Sequence, residues 1–322
     1  MRLVITGALG HIGSRLIHSL RPRDFEEVVL FDNLSTQRYC SLFDLPQAVP
    51  FRFIEGDICT DDLDTLLDGV DVVVHLAAMT NAVASFDVQE GVERVNFDGT
   101  QRVAAACSRQ GCRLLFLSTT SVYGSQTETV DEDCRLEDLR PQSPYATSKL
   151  RAEQMLHGLG AIGDLRFFIG RLGTIYDTSK GMRFHTAINK FCWQASLGQP
   201  LTVWRTALDQ YRPYLDLEDA VRAIKFVIQR DLFDNRVYNV LTENATVRQI
   251  VDLIRAVVPD VKVEYVDSQI MNQLSYSVLA ERFRAKGFEF QGSLRGGIER
   301  TLALIHGLRQ ARLGNAALAD AG

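Results

Sequence analysis

Short runs of consecutive apolar residues alternate with longer amphipathic stretches through the first half of the chain. A run that is apolar at nearly every position predicts a strand buried on both faces, because a half-exposed strand would alternate with polar residues. The stretches between these runs have apolar residues at helical spacing. Strands separated by helices predict a parallel sheet with helices on both faces. The six predicted strands are Arg2–Thr6, Glu27–Asp32, Phe51–Asp57, Asp71–Ala77, Arg113–Thr119 and Asp164–Leu172.

This alternation stops after Arg171. Residues 174–210 have helix-like and loop-like pieces in no regular order, and strand-and-helix character returns near 214–241. The pattern therefore predicts two lobes. Residues 1–171 form the parallel-sheet domain, to which the chain returns around 214–241, and residues 172–322 form a smaller, mixed α/β substrate-binding lobe.

Composition excludes several classes of protein. The 322 residues are 46% hydrophobic and 23% charged, which is ordinary globular composition. The net charge of −5 argues against nucleic-acid binding through a basic patch. Six cysteines without paired spacing indicate reduced thiols and predict neither a disulfide framework nor a metal site. With no apolar run of membrane-spanning length and no signal-peptide pattern, we expect a cytoplasmic protein without membrane contact.

The glycine-rich stretch TGALGHIG lies between the first strand and the first helix. Gly7, Gly10 and Gly13 let a backbone approach a pyrophosphate at the start of a helix, although a glycine triplet also occurs in simple turns. Asp32 ends the second strand at the spacing of a carboxylate that binds the ribose of NAD, or it caps the turn that follows. A Rossmann-like, doubly wound sheet that binds NAD is therefore predicted, and Arg38 leaves NADP open.

Tyr145 and Lys149 are four residues apart after Pro144, so a helix beginning near the proline would place them on one face. A tyrosine that acts as a base near neutral pH needs its pKa lowered by about three units, which a neighbouring ammonium and a positive nicotinamide ring favour. The pair also occurs by chance as a tyrosine beside a solvated lysine.

Several motifs occur in order along nearly the whole chain: TGALGHIG, Asp32, GDI at 56–58, HLAA at 75–78, NFDGT at 96–100, LSTTSVYG at 117–124, PYATSK at 144–149 and RPYLDLEDA at 212–220. Together they resemble the extended short-chain dehydrogenase/reductase family, in its NAD-dependent epimerase/dehydratase branch that acts on nucleotide sugars.

The resemblance implies a role for specific positions. Thr119, Tyr145 and Lys149 would be catalytic, with Tyr145 as the base and Lys149 also bonding the nicotinamide ribose. The cofactor would contact Gly7, Gly10, His11, Ile12, Gly13, Asp32, Asn33, Asp57, Ile58, Leu76, Ala77, Ala78, Asn96 and Lys149. Asn96 would be a support position, and His11 would pack over the glycine turn. The substrate would contact Thr120, Thr174 and Arg212, the last through its diphosphate.

The two residues after Thr119 indicate which of the family's reactions to expect. Relatives that eliminate water carry two acidic groups there, whereas this chain has Thr120 and Ser121, which cannot perform that acid–base chemistry unaided. A 4,6-dehydratase is therefore disfavoured, and a nucleotide-sugar 4-epimerase working through a 4-keto intermediate is expected. A sugar dehydrogenase or ketoreductase would use the same three catalytic groups. A non-catalytic redox sensor would have little reason to keep them.

The second lobe departs from the family pattern. The family often has an asparagine shortly after the arginine of the sixth strand, but here Leu172, Gly173 and Thr174 follow Arg171. The stretch 267–276 also lacks the family's second phosphate-binding arginine. Cationic side chains in the segment that contains Arg183, His185 and Lys190 would compensate, or they are solvated charges on an amphipathic helix. We assign no chemistry to His75. By analogy with the family, we expect a homodimer through the helices predicted at 92–110 and 145–159.

Overall fold

The computed structural model describes residues 1–21, 24–124, 129–267 and 275–305. Residues 268–274 of the stretch that lacks an arginine lie outside these ranges, as do residues 306–322 of the predicted second lobe. The strands are β1 (Arg2–Thr6), β2 (Glu27–Asp32), β3 (Phe51–Glu55), β4 (Val72–His75), β5 (Arg113–Thr119), β6 (Phe167–Leu172), β7 (Thr174–Tyr176), β8 (Leu201–Trp204), β9 (Tyr211–Asp216), β10 (Arg236–Val240), β11 (Glu243–Thr246) and β12 (Val263–Val266).

The helices connect and cover these strands. They are α1 (His11–His18), α2 (Leu63–Leu67), α3 (Gln89–Glu93), α4 (Gly99–Gln110), α5 (Pro144–Ala161), α6 (Ala187–Ser196), α7 (Leu217–Gln229), α8 (Val247–Val257), α9 (Glu281–Arg284) and α10 (Leu294–Ile305). Short 3₁₀ turns occur at Tyr39–Leu42, Ala84–Phe86, Thr120–Tyr123, Leu136–Asp138 and Arg205–Ala207. None of the helices in the described ranges is long and apolar enough to cross a bilayer.

Seven strands form one parallel sheet in the order β10-β6-β5-β4-β1-β2-β3. The predicted Rossmann-like α/β fold is confirmed, and each of the six predicted strands is present. Three of them are shorter than predicted. The third ends at Glu55 because Asp57 enters a turn in which its backbone N–H donates to the Asp61 carboxylate at 2.9 Å.

Helices cover both faces of this sheet. One face packs against apolar residues of α1 and α7, such as Leu16 and Ile224. The other face packs against α2, α4 and α5, through residues such as Leu67, Ala104 and Leu156. The carboxyl ends of the parallel strands therefore meet at one edge, where ligands of such sheets bind.

The remaining strands form two small sheets, β11-β9-β7 and β12-β8. They share an apolar core with α6, α8 and α10. The chain returns to the large sheet through α7 and β10, and Phe283 and Phe288 also pack into its core. Strand β9 lies in the small sheet, so the returning segment begins at α7.

The helical run predicted at 92–110 contains an irregularity. Helices α3 and α4 are joined by a π turn at Arg94–Asp98. Such turns insert an extra residue into a helix and are frequent at functional sites. Here the turn contains Asn96, whose side chain is fully buried.

Candidate active site

The glycine loop connects β1 to α1. Gly7 has a φ of +66°, and a Cβ at this position would lie 2.5 Å from the backbone N of Ala77, so only glycine fits there. Gly10 precedes α1 and no side chain caps the helix, which leaves the first N–H groups of the helix without a side-chain partner. A Cβ at Gly13 would lie 2.4 Å from the carbonyl O of Ala8, so α1 packs tightly on the loop. This geometry suits a pyrophosphate.

Asp32 lies beside the loop at the end of β2. Its carboxylate accepts hydrogen bonds from the backbone N–H groups of Leu9 at 3.0 Å and of Leu34 at 2.9 Å. Asp32 therefore does cap the following turn, and the same contacts hold it against the glycine loop. The neighbouring strand ends contribute Asn33 and Asp57, whose side chains are 3.3 Å apart, while Ile58 is buried.

The segment after β4 passes close to the loop. The backbone N–H of Leu76 donates to the Thr6 carbonyl at 2.9 Å, and that of Ala77 lies 3.4 Å from the Thr6 hydroxyl. Asn96 fixes the next residues, because its amide pairs with both the N–H and the C=O of Met79, at 2.8 and 3.0 Å. Its amide nitrogen also lies 3.3 Å from the Ser148 hydroxyl on α5. Asn96 thus connects the segment after β4 to α5, as a residue in a support position would.

His75 is buried at the end of β4. Its ring nitrogens hydrogen-bond with the hydroxyls of Thr6 at 2.7 Å and Thr100 at 3.0 Å. Burial, reinforced by the charge of Lys149, lowers its pKa to about 3, so the ring is neutral at physiological pH. A neutral imidazole with both nitrogens bonded to hydroxyls is a packing residue.

The hydroxyl row at the end of β5 divides between two sides of the sheet. Ser118 donates to Glu153 at 2.5 Å and so points away from Tyr145. Thr119 caps the 3₁₀ turn, where its hydroxyl accepts the N–H of Ser121 at 3.1 Å, and its side chain lies close enough to the Tyr145 phenol to lower the pKa of that group. Thr120 donates to the Leu172 carbonyl at 3.2 Å.

Tyr145 and Lys149 lie one turn apart near the start of α5, as predicted. The helix begins at Pro144 and is capped by Ser143, whose hydroxyl accepts the N–H of Ala146 at 3.1 Å. Burial raises the Tyr145 pKa to about 12, while the neighbouring Thr119 side chain and the charge of Arg183 act in the opposite direction. The protein alone therefore leaves this phenol protonated at neutral pH.

Lys149 is only 3% exposed. Its Nζ lies 4.6 Å from the centre of the Phe116 ring, a cation–π contact. Burial lowers its pKa to about 7, and the carboxylate of Glu153 partly opposes this change. Both members of the Tyr–Lys pair are thus desolvated, as groups tuned for chemistry often are.

A sequence model of the NAD dependent epimerase/dehydratase family matches residues 3–240. The chain belongs to this family. The resemblance inferred from the ordered motifs is thereby confirmed. The family uses NAD, the predicted cofactor, and the glycine loop and Asp32 provide the cradle that NAD requires.

Individual relatives are epimerases and dehydratases of nucleotide sugars. An uncharacterized UDP-glucose epimerase of Bacillus subtilis is 31% identical over 79% of this chain and 81% of its own length. A trifunctional UDP-glucose 4,6-dehydratase/UDP-4-keto-6-deoxy-D-glucose 3,5-epimerase/UDP-4-keto-L-rhamnose-reductase of Arabidopsis thaliana is 28% identical over 93% of this chain. The chain spans only 46% of the length of that plant protein.

Among solved structures, the UDP-glucuronic acid 4-epimerase of Bacillus cereus, in complex with UDP-glucuronic acid and NAD, superposes with a TM-score of 0.84. The identity is 25%, and the match covers 95% of this chain and 99% of that one. The B. cereus enzyme therefore has the same overall fold as this chain.

The fold brings a residue to the site that the sequence analysis missed. Tyr276 is 5% exposed, and its hydroxyl lies 3.4 Å from that of Thr120. Burial raises its pKa, and the charge of Arg212 opposes this change, so Arg212 lies close by. Thr174 begins β7, two residues after the Leu172 carbonyl that Thr120 contacts. The three predicted substrate residues and Tyr276 therefore lie in one region.

A buried ion pair supports the site from below. Glu153, one turn after Lys149 on α5, pairs with Arg171 of β6 at 2.7 Å. Both side chains are almost completely buried. The pair joins α5 to β6 of the large sheet, one turn after Lys149.

Arg183, His185 and Lys190 are not all on a helix. Helix α6 begins at Ala187, so Arg183 and His185 lie in the loop before it. Arg183 donates to the Thr80 hydroxyl at 2.7 Å, and its charge acts on Tyr145. The alternative interpretation, that Arg183 is a solvated charge on a helix, is therefore wrong.

In the described part of the chain, no three His, Cys, Asp or Glu side chains are grouped as a metal ion would need.

Proposed function

We propose that the protein is an NAD-dependent nucleotide-sugar 4-epimerase, an isomerase that works through a transient 4-keto sugar. One observation carries the proposal. Thr119 lies beside Tyr145, which is one turn from Lys149 on α5, and the next two side chains, Thr120 and Ser121, are hydroxyls. Among the described residues, no carboxylate hydrogen-bonds to these three hydroxyls, so the site is equipped for proton transfer at one carbinol and for little else.

The chain's own residues hold the cofactor and set its orientation. Gly7 and Gly10 would receive its pyrophosphate at the start of α1, and Asp32 its adenosine ribose. Lys149 would bond the nicotinamide ribose. When bound, NAD supplies the hydride acceptor and donor at C4 of the sugar.

Tyr145 would take the proton of the 4-hydroxyl while Thr119 holds the same oxygen by a hydrogen bond. Because burial raises the Tyr145 pKa to about 12, the phenolate needs added positive charge. Protonated Lys149, one turn away, and an oxidised nicotinamide ring are the charges that would provide it. The same phenol returns the proton when the ketone is reduced on its other face, so the reaction is redox-neutral overall.

The groups that contact the Thr120 hydroxyl argue against elimination of water from the sugar. The Thr120 side chain bonds the Leu172 carbonyl and lies beside Tyr276, and neither group protonates a departing hydroxyl or removes a carbon-bound proton as a carboxyl group would. A 4,6-dehydratase remains disfavoured, although dehydratases are among the relatives.

A nucleotide sugar is the proposed substrate. Arg212, next to Tyr276, would bind its diphosphate, while Thr120 and Thr174 would face the sugar. The B. subtilis and B. cereus relatives are named for UDP-glucose and UDP-glucuronic acid, which supports a UDP-hexose or a UDP-hexuronate.

The test is to purify the protein without added cofactor, denature it and quantify the released nicotinamide nucleotides by chromatography. Near-stoichiometric NAD with some NADH is expected, since a redox-neutral cycle has no need to release the cofactor. A site that is empty and binds NAD only weakly would contradict the epimerase and favour a dehydrogenase or ketoreductase that exchanges its cofactor at each turnover.

A further inference from the structure

Residues 177–186, the loop between β7 and α6, contact the glycine loop and α1; we call them the strap. The backbone N–H of Gly181 donates to the Ser14 hydroxyl at 3.1 Å. A Cβ at Gly181 would lie 2.4 Å from the Leu9 carbonyl O, so the two backbones touch. The Ser179 hydroxyl hydrogen-bonds to Nδ1 of His11 at 2.8 Å.

Both ends of the strap are anchored by polar contacts. At its start, Asp177 has a φ of +86° and accepts hydrogen bonds from Arg300 of α10 at 2.6 and 2.8 Å. In its middle, Lys180 pairs with Asp44 at 2.8 Å. Near its end, the amide of Asn189 contacts the Arg183 carbonyl. The strap is thus held over the loop by contacts to both lobes.

The strap and the loop after β2 bring two guanidinium groups toward the same place. Arg38 lies 3.9 Å from the position of a Cβ on Gly10, and the charge of Arg183 acts on it. Arg183 is half-buried and bonds the neutral Thr80 hydroxyl. Among the described residues, neither arginine forms an ion pair within 4.0 Å with a carboxylate, and only Asp32 acts on Arg38 with opposite charge. Two half-buried guanidinium groups whose charges act on each other become less unfavourable when an anion lies between them.

The surrounding groups indicate which anion fits. The uncapped start of α1 lies on the same side of the loop, and Nε2 of His11, the first residue of α1, is buried without a hydrogen-bond partner in the described structure. Backbone N–H groups, an unsatisfied imidazole nitrogen and two guanidinium groups suit a diphosphate, whose several oxygens accept bonds from all of them.

We propose that Arg38 and Arg183, one from each side of the glycine loop, bind the diphosphate of the dinucleotide and thereby fasten the strap over it. The inference rests on the proposed function in that NAD is the ligand, and it explains how an epimerase would keep its cofactor between turnovers. Arg183 reaches both this site and Tyr145, so fastening the strap also sets a positive charge beside the proposed base.

The test compares Arg38→Gln and Arg183→Gln with Arg205→Gln, a control whose side chain is 65% exposed on the far part of the second lobe. Each protein is loaded with NAD, freed of excess by gel filtration and sampled over time for bound nucleotide. Loss of one charge-assisted contact should speed NAD release by about tenfold or more in the first two variants and leave the control unchanged. Equal release rates in wild type and Arg183→Gln would overturn the proposal.

Hydrogen exchange gives a second readout that is independent of turnover. Amides of the strap should exchange more slowly when NAD saturates the wild type, and this protection should be smaller in Arg183→Gln at saturating NAD. If the strap amides exchanged at the same rate with and without NAD, the proposal that the arginines hold the strap over the bound cofactor would be contradicted.

Two probes separate the sources of a diphosphate. Titration of UDP into the NAD-loaded proteins should give the same affinity in wild type and in both variants. If UDP affinity falls while NAD release is unchanged, the arginines serve the substrate and the proposal is wrong. If Arg38→Gln weakens NADP binding alone, Arg38 recognises a 2′-phosphate instead. A wild type that inverts no nucleotide sugar but shows the predicted NAD release would refute the proposed function and leave this inference intact.

Discussion

Tyr145 is the side chain on which the proposed chemistry depends. Replacing it with phenylalanine removes the proton acceptor and keeps the ring that fills the site. We expect Tyr145→Phe to lower kcat by at least about a hundredfold, the smaller end of the range for loss of a general base, with the bound NAD content unchanged. Turnover assays and nucleotide analysis of the same preparation measure both quantities.

The matched control is Tyr265→Phe, since Tyr265 is exposed on β12 and is not part of α5. It should retain wild-type activity. Comparable turnover in Tyr145→Phe and the control would exclude Tyr145 as the base.

Lys149 makes a prediction about stability and pH in the protein stripped of NAD. Its pKa is about 7 in the folded protein and near the ordinary 10.5 when unfolded. Between these values the unfolded state binds one more proton, so stability rises with pH by about 1.4 kcal/mol per unit. Below pH 7 the lysine is charged in both states and the full burial cost is present.

Lys149→Met should therefore be more stable than wild type at pH 7, and this difference should narrow as the pH rises toward 10. Denaturant titrations of both proteins across that range measure it. Lys262→Met, at an exposed position, serves as the control and should show no such trend. A difference between Lys149→Met and wild type that stays constant with pH would show that the lysine is not desolvated.

At the scale of elements, α5 is positioned by more than its apolar face. The buried pair of Glu153 and Arg171 ties it to β6, and the Ser118 hydroxyl adds a bond from β5. Removing one charge leaves the other buried without its partner. We expect Glu153→Gln to lower the free energy of unfolding by about 3 kcal/mol.

The comparison variant is Asp64→Asn, which breaks the exposed pair of Asp64 with Arg109 and should cost less than about 1 kcal/mol. Guanidinium unfolding of the two variants would decide the matter. If both variants lost the same small amount of unfolding free energy, the buried pair would contribute no more to stability than the exposed pair.

Elements also show what the sequence could and could not predict. Strands were predictable because burial on both faces leaves a continuous apolar run, and the start of α5 because Pro144 marks it. The contacts of Asn96 and Tyr276 were not predictable, although the family resemblance implied a support position for Asn96. Asn96 contacts Met79 from within a π turn, and Tyr276 contacts Thr120 across more than 150 positions of the chain, so neither contact leaves a local pattern. For Arg183 the interpretations of a compensating cation and of a solvated helical charge both stayed open, because the sequence pattern does not show that α6 begins only at Ala187.

At the scale of the whole molecule, dimerisation through α4 and α5 stays a prediction. The outer face of this pair is polar: Arg151 pairs with Glu93 and lies 4.0 Å from the Phe97 ring, and Gln154 is exposed. If this face forms the dimer, Gln154→Arg places like charges across a two-fold axis and should shift sedimentation toward the monomer.

Gln229→Arg, at an exposed position of α7 away from this face, is the control and should sediment as wild type. A monomeric wild type at micromolar concentration, or a dimer that Gln154→Arg leaves intact, would contradict the expected interface.

The proposed 4-epimerase reduces and reoxidises NAD within one turnover, so we predict a reaction with no net change of redox state. The most direct measurement is proton NMR of the purified holoenzyme with UDP-glucose or UDP-glucuronic acid in deuterated water, without added NAD. We predict inversion at C4, no accumulation of NADH, and no deuterium at C5, because Thr120 and Ser121 offer no group to remove that proton. With UDP-glucose, deuterium at C5 together with loss of the 6-hydroxyl would reveal a dehydratase. With either substrate, stoichiometric NADH without an epimer would reveal a dehydrogenase. Either result would contradict the proposed 4-epimerase.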